Sequence, residues 1–229
     1  MPMLSPWFEP RNRNRARGTT WRDVGVAAAT ATLSLGFAQQ ATAHHPYGGT
    51  TPDSFWPGLL SGLVHPVIEP ERLAFVLLSG LIATGWTRGW VVPLAFVAAA
   101  LAGTSFHLGG GALPATQAGV ALSTVVFGGL LAVRARAGQP RRPYGLVIAG
   151  LAALAGLFHG YAYGEAIIGA QMAPLLAYLI GFSLTQLAIA LAALAVGNRL
   201  IERAAGVSLL RYAGAAASAA GLVFLSAAL

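Results

Sequence analysis

The stretch that decides the fold is GWVVPLAFVAAALAGTSFHLGGGALPATQAGVALSTVVFGGLLAV, residues 89–133, whose 45 residues include no Asp, Glu, Lys or Arg. A helix needs roughly 20 apolar residues to cross the hydrocarbon core of a bilayer. The stretch is long enough for two crossings, and Gly109-Gly110-Gly111 near its middle favours a turn between them. It therefore predicts two membrane-spanning helices.

The composition of the whole chain agrees with a membrane location. Of its 229 residues, 56% are hydrophobic and 9% are charged, whereas soluble domains carry about a quarter charged residues. The absence of Cys excludes disulfides, iron–sulfur clusters and thiolate zinc sites. All 14 basic residues are Arg, so a retinal Schiff base, which needs a lysine amine, is excluded as well. The excess of Arg indicates cytoplasmic loops and not nucleic-acid binding.

Residues 1–43 have the layout of a secretory signal peptide. An Arg-rich start and a short apolar stretch precede Ala41-Thr42-Ala43, a small-residue cleavage site. The alternative is an uncleaved signal anchor, which would add a seventh helix. In both cases residues 44–57, which contain His44 and His45, form an external segment.

Residues 58–229 are predicted to form a bundle of six transmembrane helices, so the fold class is an all-α integral membrane protein. A short apolar run, Leu59–Val64, which Pro66 interrupts, precedes the first span. The predicted spans are Leu73–Trp86, Gly89–Leu108, Ala115–Val133, Tyr144–Tyr163, Pro174–Val196 and Val207–Leu229.

The distribution of Arg predicts the orientation of the bundle. Eight of the nine Arg after residue 43 fall in alternate loops, which the positive-inside rule assigns to the cytoplasm. The signal peptide independently places the residues after 43 outside. We therefore expect a multi-pass protein of the bacterial inner membrane with a periplasmic C-terminus.

With this orientation every His lies near the periplasmic face. Ionisable groups in a membrane are costly and tend to mark the path of an ion or substrate. Imidazole and carboxylate together suit a divalent ion such as nickel, cobalt, copper or zinc. For each His taken alone, the alternative is an interfacial residue without a ligand. The candidate metal ligands are His44, His45, His65, His107, His159, Glu71 and Glu165.

The two best candidates lie in similar segments. SGLVHP, residues 61–66, precedes Glu71, and AGLFHG, residues 155–160, precedes Glu165, with a spacing of six from His to Glu in both. Transporters are often built from internal repeats with broken helices at the binding site. The repeated pattern therefore favours a shared function for His65 and His159.

These segments also carry a resemblance to a known family. The stretch GLLSGLVHP at residues 58–66 and FHGYAYGE at residues 158–165 resemble the HupE/UreJ family of nickel permeases. VPLAFV at residues 92–97 and GVALS at residues 119–123 are similar as well. The resemblance covers roughly residues 41–229, and it implies a signal peptide, a His-rich mature start and about six spans.

The sequence departs from the family pattern at positions where the resemblance implies metal ligands. The family motif H-P-x-x-G-x-D-H reads HPVIEPER here, with Glu71 for the aspartate and Arg72 for the second histidine. Gln117 stands where the family commonly has Glu, and the Glu after the second motif is shifted by one residue to Glu165. Arg72 cannot bind a metal, and its predicted carboxylate partners are Glu69 and Glu165.

The leading hypothesis is a secondary permease that takes a divalent transition-metal ion, nickel before cobalt or copper, from the periplasmic side. His65, Glu71 and His159 would form the entry site, and Glu165 and His107 would assist. His44 and His45 would hold the ion in transit. Membrane lipid and the transported ion are the expected partners, other membrane subunits are possible ones, and we expect no tightly bound cofactor, no nucleic acid and no enzymatic activity.

Two alternatives stay open. The first is a non-transporting HupE-like subunit of a larger respiratory or photosynthetic membrane complex, which the altered motif favours. The second is a haem-b protein with His107 and His159 as axial ligands from two spans that end on the same side.

Overall fold

The structure is a computed structural model that describes residues 51–134, 142–203 and 205–229. The described residues form helices and connecting turns and include no strand, which confirms the all-α class for them. The helices are α1 Phe55–Ile68, α2 Pro70–Leu81, α3 Val91–Leu108, α4 Thr116–Arg134, α5 Arg142–Gly164, α6 Met172–Ile201 and α7 Gly206–Ala228, with a single 3-10 turn, Glu165–Ile167, after α5. The predicted signal peptide, His44 and His45 lie outside the described residues.

Five helices of the described part, α3 to α7, are long and apolar enough to cross a membrane. Four of them match the predicted spans to within two residues at each end. The exception is α6, which continues to Ile201, five residues beyond the predicted end at Val196. Gly197 lies inside this helix, where a Cβ would overlap the Thr84 side chain, so a glycine lets the two segments touch.

The first predicted span differs from the structure. The helix α1 continues through Pro66 to Ile68. The helical conformation is interrupted at Glu69, which has an extended backbone with φ −101° and ψ 105°. The next helix, α2, begins at Pro70. A residue before proline is pushed towards extended backbone, and a proline is well placed in the first turn of a helix. The prediction that Pro66 interrupts the helix was therefore wrong, and Pro70 sets the break.

The two short helices α1 and α2 run beside α6 in the same direction. Gly58 lies against Pro174, Gly62 against Tyr178, and Gly80 against Ala190. Residue numbers thus rise together on both sides of the contact. Together, the two short helices follow one long helix through the bundle.

The remaining helices form two further close pairs. In the parallel pair α3–α5, a Cβ added at Gly160 would overlap the carbonyl oxygen of Ala100. In the antiparallel pair α4–α7, Gly128 lies against Ser218 and Gly221 against Val125. Small residues let helix backbones approach closely where lipid gives no hydrophobic drive for association. These glycines therefore position the helices that carry the polar side chains of the interior.

The bundle has two distinct ends. At one end, the backbone N–H of Gly85 donates to Asn198 Oδ1 over 2.7 Å, which ties the turn before Arg88 to the last part of α6. At the other end, the His107 ring at the end of α3 packs against Gly164 at the end of α5. We call these the Arg88 end and the His107 end.

Candidate functional site

Three polar side chains meet where α1 gives way to α2. His65 Nε2 lies 2.9 Å from Glu69 Oε1, and the other carboxylate oxygen of Glu69 pairs with Arg72 Nη1. His65 and Arg72 are buried, with 3% and 5% of their surface exposed. Spacings of four and three residues across the break place all three on one side of the chain. We call His65, Glu69, Arg72 and the adjacent Tyr163 the charged cluster.

The contact with Glu69 fixes the tautomer of His65. A carboxylate oxygen 2.9 Å from Nε2 requires a proton on that nitrogen, because both atoms would otherwise present lone pairs. Arg72 Nη1 lies 3.2 Å from the same nitrogen, so the carboxylate holds two donors together. In the neutral ring Nδ1 then carries the lone pair, and this buried atom has no hydrogen-bond partner among the described residues.

Two buried tyrosines form the wall of the charged cluster. The Arg72 guanidinium carbon lies 4.6 Å from the centre of the Tyr163 ring, a cation–π contact. The His65 ring meets Tyr163 and Tyr178 edge-on, with centroid distances of 5.2 and 5.9 Å. The Tyr178 hydroxyl donates to the Tyr163 carbonyl over 3.1 Å. The Arg72 cation therefore lies in an environment of low polarity, where its attraction to the partly exposed Glu69 carboxylate is strengthened.

A second polar group lies one turn away along α5. His159 precedes Tyr163 by four residues, so the two share a face and are about 6 Å apart along the helix axis. The His159 ring is fully buried, with centroids 4.6 Å from Phe75 and 5.5 Å from Phe96. We call His159, its neighbour Ser123 and these two phenylalanines the aromatic cluster.

Ser123 fixes the tautomer of His159. Its hydroxyl donates to the Val120 carbonyl over 2.6 Å, so the same oxygen accepts the proton of His159 Nε2 over 3.0 Å. His159 Nδ1 is buried and has no hydrogen-bond partner among the described residues. Both interior imidazoles are therefore held with a proton on Nε2, and both have an unpartnered Nδ1.

The other predicted ligands lie elsewhere. The carboxylate that reaches His65 belongs to Glu69 and not to Glu71, which is half-buried in the first turn of α2. Glu165 is exposed in the 3-10 turn at the His107 end. His107 packs on the Tyr161 ring at a centroid distance of 4.1 Å. The neighbours of His107 and of His159 therefore differ, and no contact among the described residues favours a haem shared by the two rings.

The predicted entry ligands do not form a compact metal centre in this conformation. Within residues 51–134, 142–203 and 205–229, no three His, Asp or Glu side chains come together as a group that could hold a metal ion. His65 and His159 belong to clusters at successive levels of α5. The use of His65, Glu71 and His159 as one ligand set stays a prediction.

Arg72 has one of its two predicted partners, Glu69. The roles of three polar side chains, Glu69, Ser123 and Gln186, were not predicted in full from the sequence. Glu69 was not assigned to His65, nor was Ser123 assigned to His159. Gln186 of α6 was missed as well; it is fully buried, and its amide nitrogen and oxygen have no hydrogen-bond partner in the described part of the chain. An amide inside an apolar span is costly in lipid, and that cost was the signal available in the sequence.

Comparisons with known proteins agree with this architecture. The sequence model of the family described as HupE / UreJ protein matches residues 30–224. The chain is similar to Protein HupE of Rhizobium leguminosarum bv. viciae, with 30% identity over 175 residues that cover 73% of this chain and 84% of that protein. No solved structure matches the chain.

Proposed function

The chain belongs to the HupE/UreJ family, and we propose that it is a secondary permease for a divalent transition-metal ion. Nickel is the first candidate, and cobalt or copper the next. The ion would be taken from the periplasmic side of the bacterial inner membrane. One observation carries the proposal: two buried imidazoles, each held by a neighbour through Nε2, leave Nδ1 unpartnered inside a helix bundle.

This arrangement is the one that prepares an imidazole to bind a metal ion. A histidine that ligates a metal through one nitrogen usually donates its other N–H to a carboxylate, a carbonyl or a water molecule. Glu69 performs this role for His65, and the Ser123 hydroxyl performs it for His159. Such partners fix the ring orientation before the ion arrives, so less ordering is required upon binding.

The separation of the two imidazoles suits transport better than storage. A permeating ion must bind well enough to enter and weakly enough to leave. His65 packs on Tyr163, about one helical turn along α5 from His159, and two such sites, each with few protein ligands, meet both demands. The ion would pass Glu165 and His107 at the predicted periplasmic end, then His65, and then His159.

The broken first span agrees with a transporter. Because α1 and α2 follow α6 in the same direction, we propose that they cross the membrane once together. With α3 to α7 this gives six crossings and a periplasmic C-terminus. Discontinuous helices are common at the ion sites of secondary transporters, where they bring backbone and side-chain polar groups into the membrane interior.

The test is metal uptake into proteoliposomes that contain the purified full chain. Uptake of nickel, cobalt, copper and zinc would be compared with that of a variant carrying both His65→Ala and His159→Ala. We expect the unaltered protein to take up at least one of these ions, with nickel fastest, and the double variant to match empty liposomes. If no ion enters faster than in empty liposomes, the protein is not a permease for these metals.

The pairing of Arg72 with Glu69 favours a second candidate, a non-transporting membrane subunit of a larger complex. A guanidinium is always charged and here neutralises the carboxylate nearest to His65. In that case the charged cluster would stabilise the α1–α2 break without binding an ion. Mild solubilisation followed by purification of the tagged chain would then recover partner subunits in fixed ratio, and the uptake test above would be negative.

A further inference from the structure

Arg72 places a permanent cation inside the bundle, next to the carboxylate that a metal ion would use. Glu69 contacts His65 with one oxygen and Arg72 with the other. Arg72 Nη1 is also 3.2 Å from His65 Nε2. Both oxygens of the Glu69 carboxylate are therefore already engaged with donors.

We propose that Arg72 sets the ion selectivity of this site by acting as a tethered cation that occupies Glu69. This inference rests on the proposed function, since it concerns the ion that the permease would carry. With Glu69 occupied, an entering ion finds the unpartnered Nδ1 of His65, whereas both oxygens of the Glu69 carboxylate already hold donors. The site then accepts ions that bind nitrogen strongly and rejects ions that depend on oxygen ligands.

The chemistry of divalent ions turns this arrangement into a preference. Nickel and copper bind imidazole well, whereas magnesium, calcium and manganese prefer carboxylate and carbonyl oxygens. A guanidinium also repels any divalent ion, and it does so strongly in a poorly polar interior. Ions without a strong nitrogen preference gain too little at His65 to offset this repulsion.

The surroundings of Arg72 keep it in place. Its guanidinium lies over the buried Tyr163 ring at 4.6 Å, and the side chain is 5% exposed. Arg72 Nε is buried and has no hydrogen-bond partner in the described residues. The contacts that retain the cation are therefore those with Glu69 and Tyr163, which lie within the charged cluster itself.

The experiment measures equilibrium binding of nickel alone and of manganese alone to the purified full chain in detergent micelles. Arg72→Gln removes the cation, Arg72→Lys keeps it, and Arg88→Gln removes an exposed Arg in the turn between α2 and α3 as a matched control. We expect Arg72→Gln to raise manganese affinity at least about tenfold, and to raise nickel affinity less. Arg72→Lys and Arg88→Gln should keep the nickel-to-manganese ratio of the unaltered protein.

A second variant keeps the test decisive if Arg72→Gln does not fold. Arg72→His also removes the permanent charge and should raise manganese affinity in the same way. Adding Glu69→Gln to either variant should abolish the gain, because the released carboxylate is then absent. Equal manganese affinity in the unaltered protein and in folded Arg72→Gln or Arg72→His would overturn the inference, as would a gain that survives Glu69→Gln.

Failure of the inference and failure of the proposed function give different results. If the unaltered protein takes up nickel but Arg72→Gln and Arg72→His bind manganese no better, the permease proposal stands and the selectivity role of Arg72 is wrong. If the variants gain manganese binding but no protein takes up any metal, Arg72 controls a binding site in a protein that does not transport.

Discussion

The charged cluster and the aromatic cluster both orient a buried imidazole, but they do so with different chemistry. Each holds a buried imidazole with its proton on Nε2, and each leaves Nδ1 without a partner. In the charged cluster the proton is accepted by Glu69, whose carboxylate also binds Arg72. In the aromatic cluster it is accepted by the neutral hydroxyl of Ser123, and phenylalanine rings flank the imidazole.

The difference in charge between the two clusters suggests two separate roles, discrimination among ions and orientation of a ligand. A charged neighbourhood discriminates among ions because it adds long-range attraction and repulsion. A neutral, aromatic neighbourhood orients the imidazole without changing the local charge. We infer that the charged cluster determines which ion enters, whereas the aromatic cluster supplies a ligand of low selectivity one turn further along α5.

The largest expected effect concerns the stability of the charged cluster. Glu69→Gln keeps an acceptor for His65 but leaves the buried Arg72 cation without a counter-charge. Breaking a buried ion pair from one side costs about 3 to 5 kcal/mol, and the partial exposure of the Glu69 side chain, 31%, places this pair at about 3 kcal/mol. We expect the free energy of unfolding, measured by titration with a denaturing detergent, to fall by that amount.

Glu165→Gln is the matched control for this prediction. It removes the same charge from an exposed position at the His107 end, so its free energy of unfolding should change by less than about 0.5 kcal/mol. Equal stability of the two variants would show that Glu69 and Arg72 are not a structural pair.

An intermediate effect distinguishes the two imidazoles directly. His65→Phe leaves Glu69 without its Nε2 donor and should lower the free energy of unfolding by about 2 kcal/mol. His159→Phe places an aromatic ring among Phe75 and Phe96 and should change it by about 1 kcal/mol or less. Both variants should lose metal uptake. If His159→Phe transports normally, the aromatic cluster is a packing feature and the ion path does not include it.

The smallest expected effect concerns the partner of His159. Ser123→Ala removes the acceptor that fixes the tautomer while it leaves the aromatic neighbours in place. Loss of such an orienting partner typically lowers metal affinity about tenfold, and we expect that decrease for nickel in an equilibrium binding measurement. Ser226→Ala, which removes an exposed hydroxyl of α7 bonded to a backbone carbonyl, should leave the affinity unchanged.

The pairing of the helices agrees with the repeated pattern in the sequence around His65 and His159. The segment SGLVHP lies in α1, whose span runs parallel to α6, and AGLFHG lies in α5, which runs parallel to α3. If α1 and α2 count as one span, the spans are α1–α2, α3, α4, α5, α6 and α7 in order. Exchanging the first three with the last three then converts the pair of α1–α2 with α6 into the pair of α5 with α3. The same exchange maps the α4–α7 pair onto itself. On that count the arrangement would be that of two three-span repeats, an architecture often found in transporters.

The sequence by itself determined the class of protein and the positions of most helices. A span of hydrocarbon requires a long apolar helix whatever its neighbours are, so α3 to α7 follow from local composition. The resemblance to the HupE/UreJ family was also present in the motifs around His65 and His159, and the family comparison confirms it. These conclusions need no knowledge of which helices touch.

Only the tertiary structure decided the chemistry of the two clusters. Which carboxylate reaches His65 depends on the break at Glu69, whereas the family motif and the repeated His–Glu spacing favoured Glu71. That Ser123 holds His159 depends on the packing of α4 against α5, since the two residues are 36 positions apart in the chain. Hydrogen bonds act over about 3 Å, a distance that is set by helix packing and not by sequence separation, and this is why the free nitrogens could be identified only in the folded bundle.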